Sequence, residues 1–389
     1  MKVLLSHFAE LGAVGGVETV VRRLLAGLTA RGHSAGVVET TNGLTGKRLL
    51  GPQIPVWSVK SSTYPVYQRP RSWASFVRSA GQFLQVLRDF KPDVVNVHFP
   101  CTQALPVIGA HLLPHDWSIV VTLHGSEIRS YPFTEPHFKD WQRRLLQRAD
   151  AVTAVSRTLL DDAVSLYPFI RDKAQVIHNG LEESWFADGG LMSVDERHAP
   201  YVLFVGRLHQ VKGVDILLKA WAKARQQLPQ TVLRIVGDGP EAAAVKALAQ
   251  ELGITGAVEF MGTVERERLA PLYRNAQLVV MPSRSEAFPL TLLEAGASGG
   301  LSLATRVGGV AEVIEDGRTG FLVEPESVEA LADAITNVMR LTVAERARIK
   351  RAARERIEER FSEARIVSEY LQLFASTLDG SRRTSRRAS

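Results

Sequence analysis

Two acidic side chains follow an apolar run that is predicted to be a strand. Glu286 comes shortly after residues 278–281, and Glu294 lies in the helix predicted next. An ionised carboxylate accepts two hydrogen bonds from a vicinal diol, and a helix N-terminus attracts phosphate. The pattern therefore favours a ligand that carries both a diphosphate and sugar hydroxyls. Two solvated glutamates at a strand–helix junction are the alternative.

A pair of cations follows a second apolar run. Arg207 and Lys212 stand directly after residues 201–205, within a turn that ends at Gly213. An arginine binds phosphate through two parallel hydrogen bonds, whereas a lysine acts as a point charge. Together they are suited to neutralising a diphosphate. A surface pair without a ligand is the alternative interpretation.

Four further candidate positions lie at or just after the ends of predicted strands. Gly15 and Gly16 open a helix after the first strand, and glycine permits a close approach of backbone to phosphate. His124 ends a buried-type strand, where its ring can hydrogen-bond a substrate. Gly237 lies in another strand–turn–helix segment and is interpreted as lining a nucleotide pocket. A purely conformational turn and a structural histidine remain the alternatives, and His98 is a weaker candidate of the same kind.

The elements that must position these residues alternate along the chain between short apolar runs and amphipathic stretches. This alternation is typical of parallel sheets covered on both faces. The series restarts near residue 200, so we predict an α/β protein with two doubly wound, Rossmann-like domains, at 1–185 and 186–361. Ligands of such sheets bind outside the carboxyl ends of the strands. We therefore expect the domains to face each other across a cleft that holds the site.

Three segments stand outside this alternation. Residues 362–378 are predicted to form a helix that packs back on the first domain. Residues 43–71, with Gly, Pro, Thr and Ser, are predicted to be an irregular loop, and the basic tail 379–389 to be disordered. The polar stretch 188–200 is predicted to be the linker between the domains.

The bulk composition excludes several classes of protein. Of 389 residues, 45% are hydrophobic and 23% charged, as in soluble globular proteins. No run of about 18 apolar residues exists, and the start of the chain is predicted to be a strand and not a secretion signal. The single cysteine, Cys101, cannot form an internal disulfide and suits a reducing cytoplasm. We predict no metal site and no nucleic-acid partner.

The net charge of +6 is unevenly distributed. Residues 1–180 hold 20 Lys and Arg against 13 Asp and Glu, whereas residues 181–379 hold 23 against 28. A basic first half favours an anionic partner. Five basic residues surround an amphipathic stretch that contains Trp and Phe: Arg69, Arg71, Arg78, Arg88 and Lys91. This pattern predicts peripheral contact with an anionic membrane. An ordinary helix face is the alternative.

With these residues in place, the chain resembles the family-4 retaining glycosyltransferases of the GT-B fold. The resemblance covers nearly the whole chain, and its most specific parts are FVGRLHQVKGVDILLKA and PSRSEAFPLTLLEA. It implies that Arg207 and Lys212 hold the donor diphosphate. It further implies that Glu286 faces the donor sugar and that Glu294 binds the nucleotide ribose.

The resemblance also assigns the remaining candidates. It implies that Gly15 and Gly16 approach the diphosphate and that His124 lies beside the donor sugar. Phe288 and Leu290, in the segment of Glu286, are assigned to donor binding together with Gly237. This chain departs from the family at Pro289, because the family often has glycine there and proline removes one backbone N–H.

The resemblance implies a reaction as well. A sugar would pass from a UDP- or GDP-linked donor to a glycan or lipid-linked acceptor with its anomeric configuration kept, and without a metal or another cofactor. Such enzymes build cell-surface polysaccharide or glycolipid in the cytoplasm, at the inner face of the cell membrane. A non-catalytic nucleotide-sugar-binding partner and a GT-B phosphorylase or disaccharide synthase are the alternatives.

Overall fold

The computed structural model describes residues 1–7, 11, 15–41, 43–51, 53–60, 70–100, 105–110, 115–134, 138–186 and 200–388, with only the backbone at 70–76, 105 and 380–388. The predicted linker falls almost entirely outside these residues, as do residues 12–14, Arg69 and the side chain of Arg71. The chain divides into two compact units. The first domain comprises Met1–Gly180 and Glu363–Ser389, and the second comprises Leu181–Ser362. The first boundary between the two domains therefore follows Gly180, whereas the sequence predicts it after residue 185.

The strands form one sheet in each domain. The first sheet has eight strands in the order β3-β4-β2-β1-β5-β6-β7-β8, and the second has six in the order β11-β10-β9-β12-β13-β14. All neighbouring strands are parallel except β3 and β4. The strands are β1 Lys2–His7, β2 Ser34–Thr41, β3 Gly46–Leu50, β4 Ile54–Lys60, β5 Val94–His98, β6 Ser118–Leu123, β7 Ala151–Ala154, β8 Ala174–Val176, β9 Tyr201–Val205, β10 Val232–Val236, β11 Val258–Gly262, β12 Leu278–Met281, β13 Ser302–Thr305 and β14 Phe321–Val323.

The α-helices connect successive strands, as a parallel sheet requires. They are α1 Gly16–Ala30, α2 Pro70–Phe90, α3 Leu105–Ala110, α4 Ser126–Arg129, α5 Tyr131–Thr134, α6 Phe138–Arg148, α7 Arg157–Leu166, α8 Val214–Ala224, α9 Ala242–Glu251, α10 Leu269–Asn275, α11 Leu290–Ala297, α12 Val310–Val313, α13 Val328–Met339, α14 Val343–Phe361 and α15 Glu363–Ala388.

The central strands of both sheets are buried on their two faces. In β1 the consecutive residues Val3, Leu4 and Leu5 are all fully buried, although successive side chains of a strand point to opposite faces. In the second domain, Trp221 of α8 is fully buried in the core with Leu217 and donates its indole N–H to the Ala257 carbonyl at 3.1 Å. Covered faces leave the strand ends and the loops beyond them as the part of each sheet that can meet a ligand.

The prediction of an irregular loop at 43–71 is wrong. This segment contains the antiparallel pair β3–β4 and the first residues of α2. All five residues of β3 are exposed, so the strand lacks the alternation of buried and exposed side chains that would reveal it. Its pairing with β4 at the edge of the sheet makes it a strand, and that pairing is not visible in the local sequence.

The last helix, α15, packs against α1 and β6 in the core of the first domain. Its buried residues include Val367, Tyr370 and Phe374, which lie in one hydrophobic cluster with residues of α1 such as Leu25. The helix continues through residues 379–388, for which the sequence predicts disorder.

Candidate functional site

Three loops meet at the carboxyl end of the second sheet. They follow β9, β10 and β12, and β9 lies between the other two strands. Backbone hydrogen bonds join the first two loops, with the Leu208 N–H donating to the Asp238 carbonyl at 2.9 Å and the Glu241 N–H to the Leu208 carbonyl at 3.0 Å. The sequence signals at Arg207, Gly237 and Glu286 therefore belong to neighbouring loops of one edge.

Gly237 is required by a close approach of two of these loops. Its φ is 126°, and a Cβ atom there would lie 2.0 Å from the Gly206 carbonyl oxygen. No side chain fits at that distance without moving backbone. The glycine thus sets the packing of the β10 loop on the β9 loop, whether or not its backbone also meets a ligand.

We predict that Gly237→Ala destabilises the second domain by about 2–4 kcal/mol, from backbone strain and overpacking together. Gly256→Ala is the matched control, because nothing lies within 4 Å of a Cβ atom at that position. The control should change the free energy of unfolding by less than about 0.5 kcal/mol. Urea denaturation measures both, and equal effects of the two substitutions would contradict the close approach.

The central contact of this edge joins Lys212 to Glu286. The Lys212 Nζ atom donates to the Glu286 Oε1 atom at 2.6 Å, and the Ser283 hydroxyl donates to the same oxygen at 2.7 Å. Glu286 is only 8% exposed. The Thr305 hydroxyl in turn donates to the Ser283 carbonyl at 2.5 Å. The Lys212 ammonium group and the Ser283 hydroxyl thus both bind this buried carboxylate, while 31% of the Lys212 side chain stays accessible to a ligand.

Arg207 and Glu294 lie on either side of this contact in the chain. Arg207 is exposed just beyond β9, and its side chain makes no hydrogen bond or ion pair with the residues that the structure describes, although its carbonyl accepts the His209 N–H at 2.9 Å. Glu294, in α11, is half-buried and accepts a hydrogen bond from the Tyr273 hydroxyl at 3.3 Å. Burial raises the pKa of Tyr273 well above its usual value, and the negative charge of Glu294 is the second cause of this rise. Tyr273 therefore stays a hydrogen-bond donor to Glu294.

Phe288 and Leu290, the two apolar candidates near Glu286, differ in which of their groups a ligand could contact. The Phe288 side chain is buried, and its ring centroid lies 5.5 Å from that of Phe361. Its side chain is therefore part of the core, and only its backbone groups are suited to a ligand. Leu290 is the first residue of α11, where backbone N–H groups have no partner within the helix.

In the first domain, three histidines stand at the carboxyl ends of three adjacent strands. His7 ends β1, His98 ends β5, and His124 directly follows β6. The His98 Nδ1 and His124 Nε2 atoms are 3.0 Å apart in a hydrogen bond, so one nitrogen carries the proton and the other accepts it. Burial lowers the pKa of His124 to about 3 and that of His98 well below its usual value. Both rings are therefore neutral near pH 7.

Glu127, which the sequence analysis misses, holds the backbone at His124. Its carboxylate accepts hydrogen bonds from the backbone N–H groups of His124 and of Gly125, the latter at 2.9 Å. Its own carbonyl accepts the Gln142 amide at 2.9 Å. Glu127 is fully buried, and burial raises its pKa to about 7. The signal in the sequence is the spacing of a carboxylate three residues after the strand-end histidine, which is that of a turn-capping side chain.

The histidine pair predicts a dependence of stability on pH. Because the folded protein holds His98 neutral and the unfolded chain protonates it below about pH 6.5, its contribution to stability is present above that pH and is lost as the pH falls. In His98→Gln this loss should be absent. The free energy of unfolding of the parent protein should therefore fall relative to the variant by up to about 1.4 kcal/mol per pH unit below 6.5.

Urea denaturation between pH 4.5 and 7.5 measures this difference. Glu127 titrates in both proteins, so its opposite trend cancels in the comparison. A difference that stays constant over the pH range would contradict the neutral, buried pair.

The glycine turn of the first domain carries a carboxylate of its own. Gly15 precedes α1 as its N-cap, and Gly16 is the exposed first residue of that helix. The Glu18 side chain folds back over Gly15 and lies 3.4 Å from the His7 Nε2 atom. This contact with His7 lowers the pKa of Glu18. The negative charge of Glu18 therefore repels an anion that approaches the α1 N-terminus, and the Glu18 side chain must change its conformation before such an anion can bind.

The described residues add two observations. Among them, no group of three or more His, Cys, Asp or Glu side chains is arranged to hold a metal ion. Their helices also include none that is both long and apolar enough to cross a membrane.

Comparison with known proteins places this geometry in a class. The solved sucrose-phosphate synthase of Thermosynechococcus elongatus superposes with a TM-score of 0.80 at 22% identity, covering 97% of this chain and 99% of that one. Anabaena HepE in complex with UDP-glucose gives 0.76 at 21% identity, covering 98% and 100%. The protein thus has the GT-B fold, with two Rossmann-like α/β domains, as predicted.

Comparison with family models and with related sequences identifies the family. The family described as "Glycosyltransferase Family 4" matches residues 14–185, and "Glycosyl transferases group 1" matches residues 194–356. The N-acetyl-alpha-D-glucosaminyl L-malate synthase of Bacillus anthracis is 28% identical over 97% of both chains. A D-inositol 3-phosphate glycosyltransferase of Acidothermus cellulolyticus is 27% identical over 84% of this chain and 79% of its own. The chain belongs to the family-4 glycosyltransferases, which confirms the resemblance, and it is a glycosyltransferase of GT-B type.

Proposed function

We propose that the protein is a retaining, metal-independent glycosyltransferase that uses a UDP- or GDP-linked sugar. The observation that carries this proposal is the contact of Lys212 with the buried carboxylate of Glu286 at the carboxyl edge of the second sheet. It supplies a cation for a diphosphate and a hydrogen-bond acceptor for a sugar hydroxyl within 3 Å of each other. Relatives of the fold that were solved with UDP-glucose support this donor class.

In the proposed reaction, Arg207 and Lys212 stabilise the negative charge that grows on the leaving diphosphate. Glu286 and His124 orient the donor sugar, and Glu294 binds the ribose of the nucleotide. Phe288, Leu290 and the turns at Gly15, Gly16 and Gly237 contribute backbone contacts to the donor. The acceptor hydroxyl attacks the anomeric carbon on the face from which the diphosphate leaves, and the leaving phosphate takes the hydroxyl proton. The two cations supply the positive charge that a metal ion would otherwise bring.

The acceptor is proposed to be a glycan or a lipid-linked saccharide, with the reaction in the cytoplasm at the inner face of the cell membrane. The basic first half supports contact with an anionic surface. The relatives named for malate and inositol phosphate define a competing class of small anionic acceptors. Both classes belong in the acceptor screen, and transfer to L-malate alone would replace the lipid-linked proposal.

Purified protein incubated with UDP-, GDP- and ADP-sugars tests the donor. A donor at 100 times its Kd should stabilise the protein by about 2.7 kcal/mol, visible as a higher Tm. Release of nucleoside diphosphate identifies an enzyme, whereas stabilisation without release identifies a non-catalytic binding partner. Retention of configuration is tested by NMR of the first product formed, and an inverted anomer would refute the proposed mechanism.

A further inference from the structure

Arg284 gives every nitrogen of its guanidinium group to the protein. Its two terminal nitrogens each bind one oxygen of the Asp215 carboxylate at 2.8 Å, the parallel arrangement that makes such pairs strong. One of them also donates to the Gln210 carbonyl at 2.6 Å, and the Nε atom donates to Glu326 at 2.7 Å. An arginine beside a predicted phosphate site is thus bound to its neighbours at all three nitrogens, unlike Arg207, whose side chain has no such partner among the described residues.

The partners of Arg284 surround the turn that carries Lys212. The backbone N–H of Arg284 donates to the Val211 carbonyl at 2.7 Å, directly before Lys212. Gly213, directly after it, has a φ of 65° and lies so near the β12 loop that a Cβ atom would be 2.1 Å from the Pro282 carbonyl oxygen. The turn is therefore fixed to the loop of Glu286 on both sides of the lysine.

The Arg284 network also joins loops that are far apart in the chain. Gln210 and Asp215 follow β9, Arg284 follows β12, and Glu326 follows β14. The Arg284 side chain is 23% exposed and that of Asp215 39%, so solvent screens the pair only in part. The hydrogen bond from Arg284 lowers the pKa of Asp215, which keeps the carboxylate charged.

We propose that Arg284, together with Asp215, is a positioning residue that fixes Lys212 against Glu286. The inference rests on the proposed function, since it gives Lys212 its role at the donor diphosphate. Arg284 contacts no substrate in this scheme. It acts by holding the turn so that the Lys212 ammonium group is already in place when the donor binds, which avoids the cost of ordering a flexible lysine.

A double-mutant cycle tests this role through donor turnover. Arg284→Ala should lower kcat/KM by ~30-fold in the parent protein but by less than about threefold in the Lys212→Ala background. Arg284→Lys keeps the charge without the planar fork and should recover only part of the loss. Asp215→Asn disturbs the pair from the other side with little change of shape, and should show the same lack of additivity with Lys212→Ala.

Arg234→Ala is the matched control. Arg234 pairs with Glu259 at 2.8 Å and its side chain is 19% exposed, so it resembles Arg284 in burial and pairing but lies on β10. It should change kcat/KM by less than about twofold. Thermal unfolding of each variant separates loss of positioning from loss of fold.

Three outcomes overturn the inference. If the losses of Arg284→Ala and Lys212→Ala multiply in the double variant, Arg284 acts independently of Lys212. If Arg284→Ala and Asp215→Asn both retain the parent kcat/KM while Lys212→Ala loses it, the proposed function stands and the positioning role fails. If Lys212→Ala itself is fully active, the proposed function fails first and the inference with it.

Discussion

Arg207→Ala is expected to lower kcat/KM by about 10²–10³-fold while the protein unfolds at nearly the same temperature. Arg207 is exposed just beyond β9, and its side chain makes no hydrogen bond or ion pair with the described residues, so its removal should cost the folded domain little stability. Its cost should appear only when a diphosphate leaves and negative charge develops beside it. A cation that serves the transition state alone affects turnover more than stability.

Steady-state transfer or donor hydrolysis measures the loss, and a thermal scan should show a Tm within about 2 °C of the parent protein. Arg318→Ala is the control, since Arg318 is 73% exposed and pairs only with its near neighbour Glu315 at 2.7 Å. The control should keep full activity. Arg207→Ala with parental kcat/KM would remove Arg207 from the site, even if donor binding were unchanged.

The sequence predicts the second domain more closely than the first. The bounds of β9, β10, β12 and β14 are predicted correctly, because each is a short, mostly apolar run between polar turns. The edge strand β3 is missed, because its residues are exposed and its pairing partner lies beyond a turn. The local sequence pattern identifies strands whose apolar residues are buried. It is weak for a strand that is defined only by its hydrogen bonds to a neighbouring strand.

The same limit applies to the candidate site. Lys212 and Glu286 are identifiable because both follow strands and both carry chemistry suited to a nucleotide sugar. Arg284 is adjacent to that signal, yet its partners come from other parts of the chain: Gln210 and Asp215 follow β9, and Glu326 follows β14. Nothing in the sequence states that those loops meet. The signal that points to them is topological, since β9, β12 and β14 end at one edge of a parallel sheet.

Glu127 and the histidine pair show a second reason for such omissions. A glutamate four residues after a strand resembles a solvated turn residue, and only its complete burial reveals its role. Burial also decides the protonation of His98 and His124, because desolvation is the first cause of the lowered pKa of each. The sequence places titratable groups, but the packing around them sets their charge.

Lys212→Ala should lose about 10²–10³-fold in kcat/KM and also lower the free energy of unfolding by about 1–3 kcal/mol. The second effect arises because Glu286, with its side chain 9% exposed, would keep its Ser283 hydrogen bond but lose its contact with the Lys212 ammonium group. Glu286→Gln should cost less stability, since Lys212 is 31% exposed and water can solvate it. The pair is therefore asymmetric in stability although both members serve the reaction.

A double variant separates the two effects. Lys212→Met with Glu286→Gln removes both charges and keeps side chains of similar size, so the stability lost in Lys212→Ala should largely return. Activity should not return, because neither the charge for the diphosphate nor the carboxylate for the sugar is present. Urea denaturation and donor turnover, measured on the same preparations, give the comparison. If the double variant recovered activity along with stability, the Lys212–Glu286 contact would be a structural ion pair, and the donor would have to be bound elsewhere.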